Sequence, residues 1–127
     1  MRERQEASPP LTKSSPAAMI STAAVQLLHD YTGRGPTKAK TTIAGDLVAI
    51  VLADTLTAGE RKLVENGRAE RVLALRHDYQ TVMRTDLIAL VERNLERRVV
   101  AFMSQNHIDP DFGVEIFVLE PAEAVLH

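Results

Sequence analysis

Apolar residues recur at three- and four-residue steps from Ile20 through Ala23, Ala24, Leu27 and Leu28 to Tyr31. That is the period of a helix with one buried stripe. Ser15 can cap its start, Pro16 suits its first position and Gly33 can stop it, so a helix is predicted from Pro16 or Ala17 to Tyr31. The pattern then changes. Ala39 to Ile43 can form a strand, and Leu47 to Ala53 is an unbroken apolar run that reads as a second. Gly45-Asp46 between them predicts a hairpin turn. Because the second strand is apolar on both faces, it is expected at the sheet centre. One side would be covered and the other free to meet a partner.

Thr57 with Glu60 three residues later has the spacing of a capping box, which predicts a short helix with Leu63 and Val64 facing inward and Asn66-Gly67 at its end. A long helix is predicted from Arg68 to Leu95, with Val72, Leu75, Tyr79, Val82, Met83, Leu87, Leu90 and Val91 on one broad face. At 1.5 Å per residue it would span about 42 Å, long enough to suggest a kink or a partner surface. Val99 to Ser104 alternates as a third strand, Asn106 to Asp111 is rich in turn residues, and Val114 to Leu119 is a fourth strand that Pro121 ends. The order α-β-β-α-α-β-β predicts an α+β two-layer sandwich, a four-stranded, mainly antiparallel sheet with helices on one face. Residues 17–120 are expected to form its single domain. Residues 1–16, with Ser8-Pro9-Pro10 and Ser14-Ser15-Pro16, read as a disordered tail, and residues 121–127 as a short C-terminal tail.

Composition narrows the chemistry. The 127 residues include no Cys, which excludes disulfides, thiolate metal sites and a Cys nucleophile. There is no Trp and only 4% of residues are aromatic, too few for a base-stacking platform. The net charge is −2, but unevenly spread: residues 33–98 hold twelve Lys/Arg against nine Asp/Glu, and residues 99–127 hold none against five. An acidic last quarter argues against a nucleic-acid face there and suits a basic protein partner. The longest apolar run, Leu47 to Ala53, is far short of the roughly 20 residues a spanning helix needs, so a cytoplasmic location is expected.

Three blocks carry a family likeness: Tyr31-Thr32-Gly33-Arg34-Gly35-Pro36-Thr37-Lys38-Ala39; Leu56-Thr57, Gly59-Glu60 and Leu63-Val64-Glu65-Asn66-Gly67; and the run from Ala101 to Asp111. In this order they resemble the MpsC-like family, small bacterial proteins long classed as a domain of unknown function, from about Ile20 to Glu120. One member is associated with a sodium-translocating, membrane-potential-generating system. The resemblance therefore implies a cytoplasmic accessory protein beside an integral membrane partner, and it supplies no catalytic residues. Where the family often has an acidic residue this chain has Gln105, one carboxylate fewer in the last block.

Two segments could hold chemistry. In Gly33-Arg34-Gly35-Pro36-Thr37-Lys38, backbone N–H groups around small residues can form an anion nest, Arg34 can grip a phosphate or carboxylate with two N–H groups, Thr37 offers a hydroxyl and Lys38 a point charge. The candidate anion-binding set is Gly33, Arg34, Gly35, Thr37 and Lys38. Alternatively the glycines merely turn the chain and Arg34 pairs with Asp30 or a C-terminal carboxylate. The loop lacks the Walker A spacing. In the second hairpin's turn, Asn106, His107, Asp109 and Asp111 form a candidate polar site. They could ligate a divalent ion, serve in acid–base chemistry through His107, or simply stiffen the loop. Arg34 is expected to rest against an acidic partner, either a bound anion or Asp109/Asp111. His29-Asp30 reads as a helix boundary, and His77 and Asp78 as solvent-facing.

No nucleophile–base arrangement or dinucleotide loop is recognisable, so no catalytic residue, cofactor or metal is assigned. The sequence is best read as a non-catalytic accessory or regulatory protein, a homodimer, binding a protein partner and a small anion. A nucleic-acid binder using Arg34, Lys38, Lys40, Arg61 and Lys62 is one alternative. A small metal-dependent or nucleotide-handling enzyme is another.

Overall fold

The computed structural model describes residues 15–34 and 38–122. Of the tail expected over residues 1–16, residues 1–14 lie outside the described residues, as do Gly35, Pro36, Thr37 and residues 123–127, while Ser15 and Pro16 are the cap and first residue of a helix. Helix α1 runs Pro16–Thr32, β1 Lys38–Ala44, β2 Leu47–Ala53, α2 Ala58–Glu65, α3 Ala69–Leu95, β3 Val99–His107 and β4 Phe112–Leu119. The order is the one the sequence predicts. All strand pairs are antiparallel, in the order β1-β2-β4-β3.

Local chemistry explains the boundaries. Ser15 Oγ accepts from Ala18 N at 3.1 Å, Pro16 opens α1, and Gly33 closes it at φ 77°, a left-handed conformation that costs glycine little. The capping box of α2 is formed: Thr57 Oγ1 accepts from Glu60 N, and Glu60 Oε1 from Thr57 N. Gly45, at φ 59°, takes the first place of the two-residue β1–β2 loop, where a type II′ turn favours glycine.

Helices α1 and α3 lie side by side on one face of the sheet. The core between the layers joins Ile20, Ala24 and Leu28 of α1 and Met83, Leu87, Leu90 and Val91 of α3 to Val48, Ile50, Leu52, Phe117 and Leu119. Phe102 and Phe117 pack as tilted rings 5.1 Å apart, centroid to centroid. Tyr31 Oη donates to Asp86 Oδ2 at 2.7 Å and ties the two helices.

Three expectations need correction. The turn predicted from Asn106 is shorter: Asn106 and His107 are in β3, opposite Gly113 and Phe112, because ladder pairing persists through residues whose side chains favour turns. In α2 the buried residue is Glu60, while Leu63 is exposed and Val64 half-buried. In α3 the stripe runs through Arg76 and Tyr79, leaving Leu75 and Val82 exposed on its flank. In both helices a polar side chain takes an inward position because an ion pair between α2 and α3 fills the space.

Candidate functional site

That ion pair belongs to a polar junction where β2 ends. Asp54 sits at φ 59°, a conformation aspartate tolerates better than most residues, so the chain turns sharply out of the sheet. Three arginines from three elements converge there. Arg34 Nη2, just beyond α1, is 3.0 Å from Asp54 Oδ2 and donates to the Asp54 carbonyl at 3.2 Å. Arg61 of α2 pairs with Asp54 Oδ1. Arg76 of α3 grips Glu60 with two N–H groups, at 3.1 and 2.6 Å, and also donates to the Thr55 carbonyl. Glu60 and Arg76 are both buried, so this pair relies on its bidentate geometry and added bonds to offset the loss of hydration.

Asp111, from the second hairpin's turn, closes the junction. Its Oδ1 accepts from Thr55 Oγ1 and its Oδ2 from Leu56 N, both at 2.8 Å, while its carbonyl accepts from Asp54 N. Arg34 is therefore held against a carboxylate, but the paired residue is Asp54, not Asp30, Asp109 or Asp111. Asp111 shares the junction through Asp54 and Thr55. Arg34 of the first segment and Asp111 of the second thus reach the same strand end from different sides.

A small cavity of about 20 Å³ lies under this junction between the helices and the sheet. Arg34, Thr55, Arg76, Gln80, Asn106 and Glu115 contribute its polar lining. Glu115 is 2% exposed, on the helix-facing side of β4. Burial pushes its carboxyl up to about 7. Ser104, opposite it on β3, favours the charged form slightly, but neither Ser104 Oγ nor Glu115 Oε1 reaches hydrogen-bond geometry. Arg34 Nε is likewise buried without a partner among the described residues.

The remaining candidates are scattered. Gly33 is the α1 cap, and Lys38 is exposed on β1. Asn106 lines the cavity beside Gly113. His107 is exposed, its Nδ1 2.7 Å from the Pro110 carbonyl oxygen, and Asp109 is exposed. His29 and Asp30 are exposed at the end of α1. Asp54, Glu60, Arg76 and Glu115 were not foreseen as site residues. The signal for two of them was phase: Arg76 follows Val72 by four residues, and Glu115 is in step with Phe117 and Leu119.

The sheet's other face has a different character. Leu47, Ala49, Val51 and Ala53 of β2 and Phe112, Val114, Ile116 and Val118 of β4 alternate onto it, with Ala101 and Met103 of β3 beside them. Leu47, Val51, Met103 and Phe112 are 43–51% exposed, and no described element covers them. The strand residues on this face include no carboxylate.

A family model described as the Na+-translocating membrane potential-generating system (MpsC) matches residues 12–121. The chain belongs to the MpsC family. No curated protein and no solved structure matches it. Among the described residues, no group of three His, Asp or Glu side chains is placed to hold a metal ion, and no helix is long and apolar enough to cross a membrane.

Proposed function

We propose that this MpsC-family chain is a soluble, non-catalytic accessory or regulatory protein of a membrane ion-transport system. It acts in the cytoplasm by binding another protein. The observation that carries the reading is the apolar strip of β2 and β4 left open on one side of the sheet while helices pack on the other. Contiguous apolar patches of several hundred Å² on a soluble protein mark sites of interaction. A non-catalytic role is supported by how the junction's carboxylates are engaged. Glu60 and Asp54 are paired with arginines and Asp111 accepts from Thr55 and Leu56, so each serves as a fixed acceptor. The family description supplies the link to ion transport. The buried Nε of Arg34, without a partner among the described residues, supports the further reading that the adjoining loop takes a small anion.

The test is complementation of a host strain lacking the protein. The double variant Val51→Glu/Ile116→Glu should accumulate as folded protein yet fail to restore a sodium-dependent membrane potential read with a voltage-sensitive dye. Full restoration by that variant would overturn the reading.

A further inference from the structure

A protein can cover an open sheet in two ways, by adding a strand at an edge or by packing against the face. Both edges of this sheet are guarded. The β1 edge presents Lys38 and Lys40, and the β3 edge is interrupted by a bulge between Val99 and Ala101. Between them β2 and β4 present an open apolar strip, flanked on the same face by Lys38, Lys40 and Thr42 of β1 and Gln105 and His107 of β3. Large apolar groups are few in residues 1–14, Met1 and Leu11, and in residues 123–127, Val125 and Leu126.

We infer that the occupant of this face is a second copy of the chain, packed sheet to sheet about a two-fold axis parallel to the strands. This rests on reading the face as a protein-binding surface and names its partner. The argument is self-complementarity. An axis midway between β2 and β4 lays β2 of one copy over β4 of the other, and each residue faces the second copy of its own ladder partner. Ala49 pairs with Ile116 and Ala53 with Phe112, so each small residue of β2 meets a bulky residue of the second copy. Val51 pairs with Val114 and meets it in the same way. The same operation puts β1 over β3 of the second copy. Lys38 then lies over His107, at the start of the turn in which Asp109 is exposed. An isologous contact needs this kind of match, and an unrelated partner would not require it.

The size also fits. Four strands about 4.8 Å apart, with seven to nine residues at about 3.3 Å each, give roughly 500 Å² per copy. A total of about 1,000 Å² is the lower end of specific interfaces, so the dimer is expected to dissociate in the micromolar range rather than to be permanent.

The test is light scattering on the full chain from about 1 to about 200 µM. The mass should rise from 14.0 kDa towards twice that value. Ile116→Glu, which places carboxylates near the axis, should keep the protein monomeric, with helical content unchanged by circular dichroism. Val82→Glu, on the exposed flank of α3, should leave the dimer intact. Because Ile116→Glu could damage the fold, a second measurement uses the absence of native Cys. Ile116→Cys should be linked into a dimer by a short bis-maleimide, whereas Val82→Cys should not. A wild type that stays monomeric throughout would overturn self-association, while the complementation experiment would still decide whether the face binds some other protein. A dimer that is lost with Val82→Glu, or linked only through Val82→Cys, would also overturn it.

Discussion

The two faces of one sheet differ in where their polar groups sit: inside, around one buried carboxylate, and outside, only along the edge strands. The face covered by α1 and α3 holds Thr41, Ser104, Asn106 and the buried Glu115. The open face has Leu47, Val51, Ile116 and Met103 and no carboxylate. An antiparallel sheet with one solvated face normally places its polar residues outward. Here a carboxylate and three other polar side chains lie inward, beneath the Asp54 junction, while the outward face is apolar along β2 and β4 and polar only on the edge strands, through Lys38, Lys40, Thr42, Gln105 and His107. Strand parity assigns each residue to a face, but it does not say which face is covered within one chain and which is completed by a partner.

Adjacent residues of β4 offer the sharpest way to break the comparison. Phe117 is fully buried against Phe102 and the helices, so Phe117→Ala should cost about 3–5 kcal/mol in a urea melt. Ile116, one residue away, is half-buried on the open face. In dilute protein Ile116→Ala should cost on the order of 1 kcal/mol, and the cost should grow with protein concentration if the face is paired. Equal losses for the two, independent of concentration, would mean the open face is already covered within the monomer.

The junction that anchors the covered face should be nearly as sensitive. Arg76→Ala strands Glu60, buried and already committed to the α2 capping box. The expected cost is about 3–5 kcal/mol, because one member of a buried pair is left unpaired. Removing both charges with Arg76→Met/Glu60→Leu should cost less than the single change. A double variant as unstable as the single one would show that Glu60's capping bonds dominate, not the ion pair.

These energetic anchors mark where the sequence was readable. Leu47–Ala53, the α1 caps and the Thr57–Glu60 box are local signals, legible within a few residues, and the structure has them where the sequence puts them. The junction is non-local. Asp54 follows an apolar strand with no motif around it, and its role arises only when the fold brings Arg34 from 20 residues away and Asp111 from beyond α3. Leu75 and Val82 misled because, seven residues apart on either side of Tyr79, they extend an apolar stripe that the fold instead carries through Arg76. The buried ion pair with Glu60 is what turns Arg76 inward in their place.

Glu115 provides a pH test of the polarity buried on the covered face. Its folded carboxyl is raised by burial from 4.5 to about 7, so between those values the folded chain holds a proton that the unfolded chain has released. This contribution to stability is fully present below about pH 4.5, is lost as the pH rises to about 7, and does not change above that. At about 1.4 kcal/mol per pH unit, the loss is on the order of 3 kcal/mol. Glu115→Gln cannot ionise and should flatten that part of the profile, so the difference in urea midpoint between variant and wild type should grow in the variant's favour from pH 5 to pH 8. Parallel profiles would show that water entering the cavity already solvates the carboxylate.

Arg34 should show the smallest effect, and the most informative about ligands. Its pair with Asp54 is more than a third exposed, at 36% and 39%, so solvent screens it and Arg34→Ala should cost only about 0.2–1 kcal/mol. Arg61 still holds Asp54 in the variant, which limits the loss further. The side chain's buried Nε supports a role beyond that pair. If the loop from Gly33 to Lys38 takes a small anion, phosphate should raise the Tm of the wild type and leave that of Arg34→Ala unchanged, since only the form that binds gains stability from the ligand. Sodium chloride at matched ionic strength controls for screening, which acts on both proteins alike. A phosphate effect of equal size in the two proteins would remove Arg34 from anion binding and leave it as a brace for the turn at Asp54. A loss of several kcal/mol in the variant without ligand would instead make the Asp54 pair behave like the buried Arg76–Glu60 pair, and the contrast between the rim of the junction and its interior would disappear.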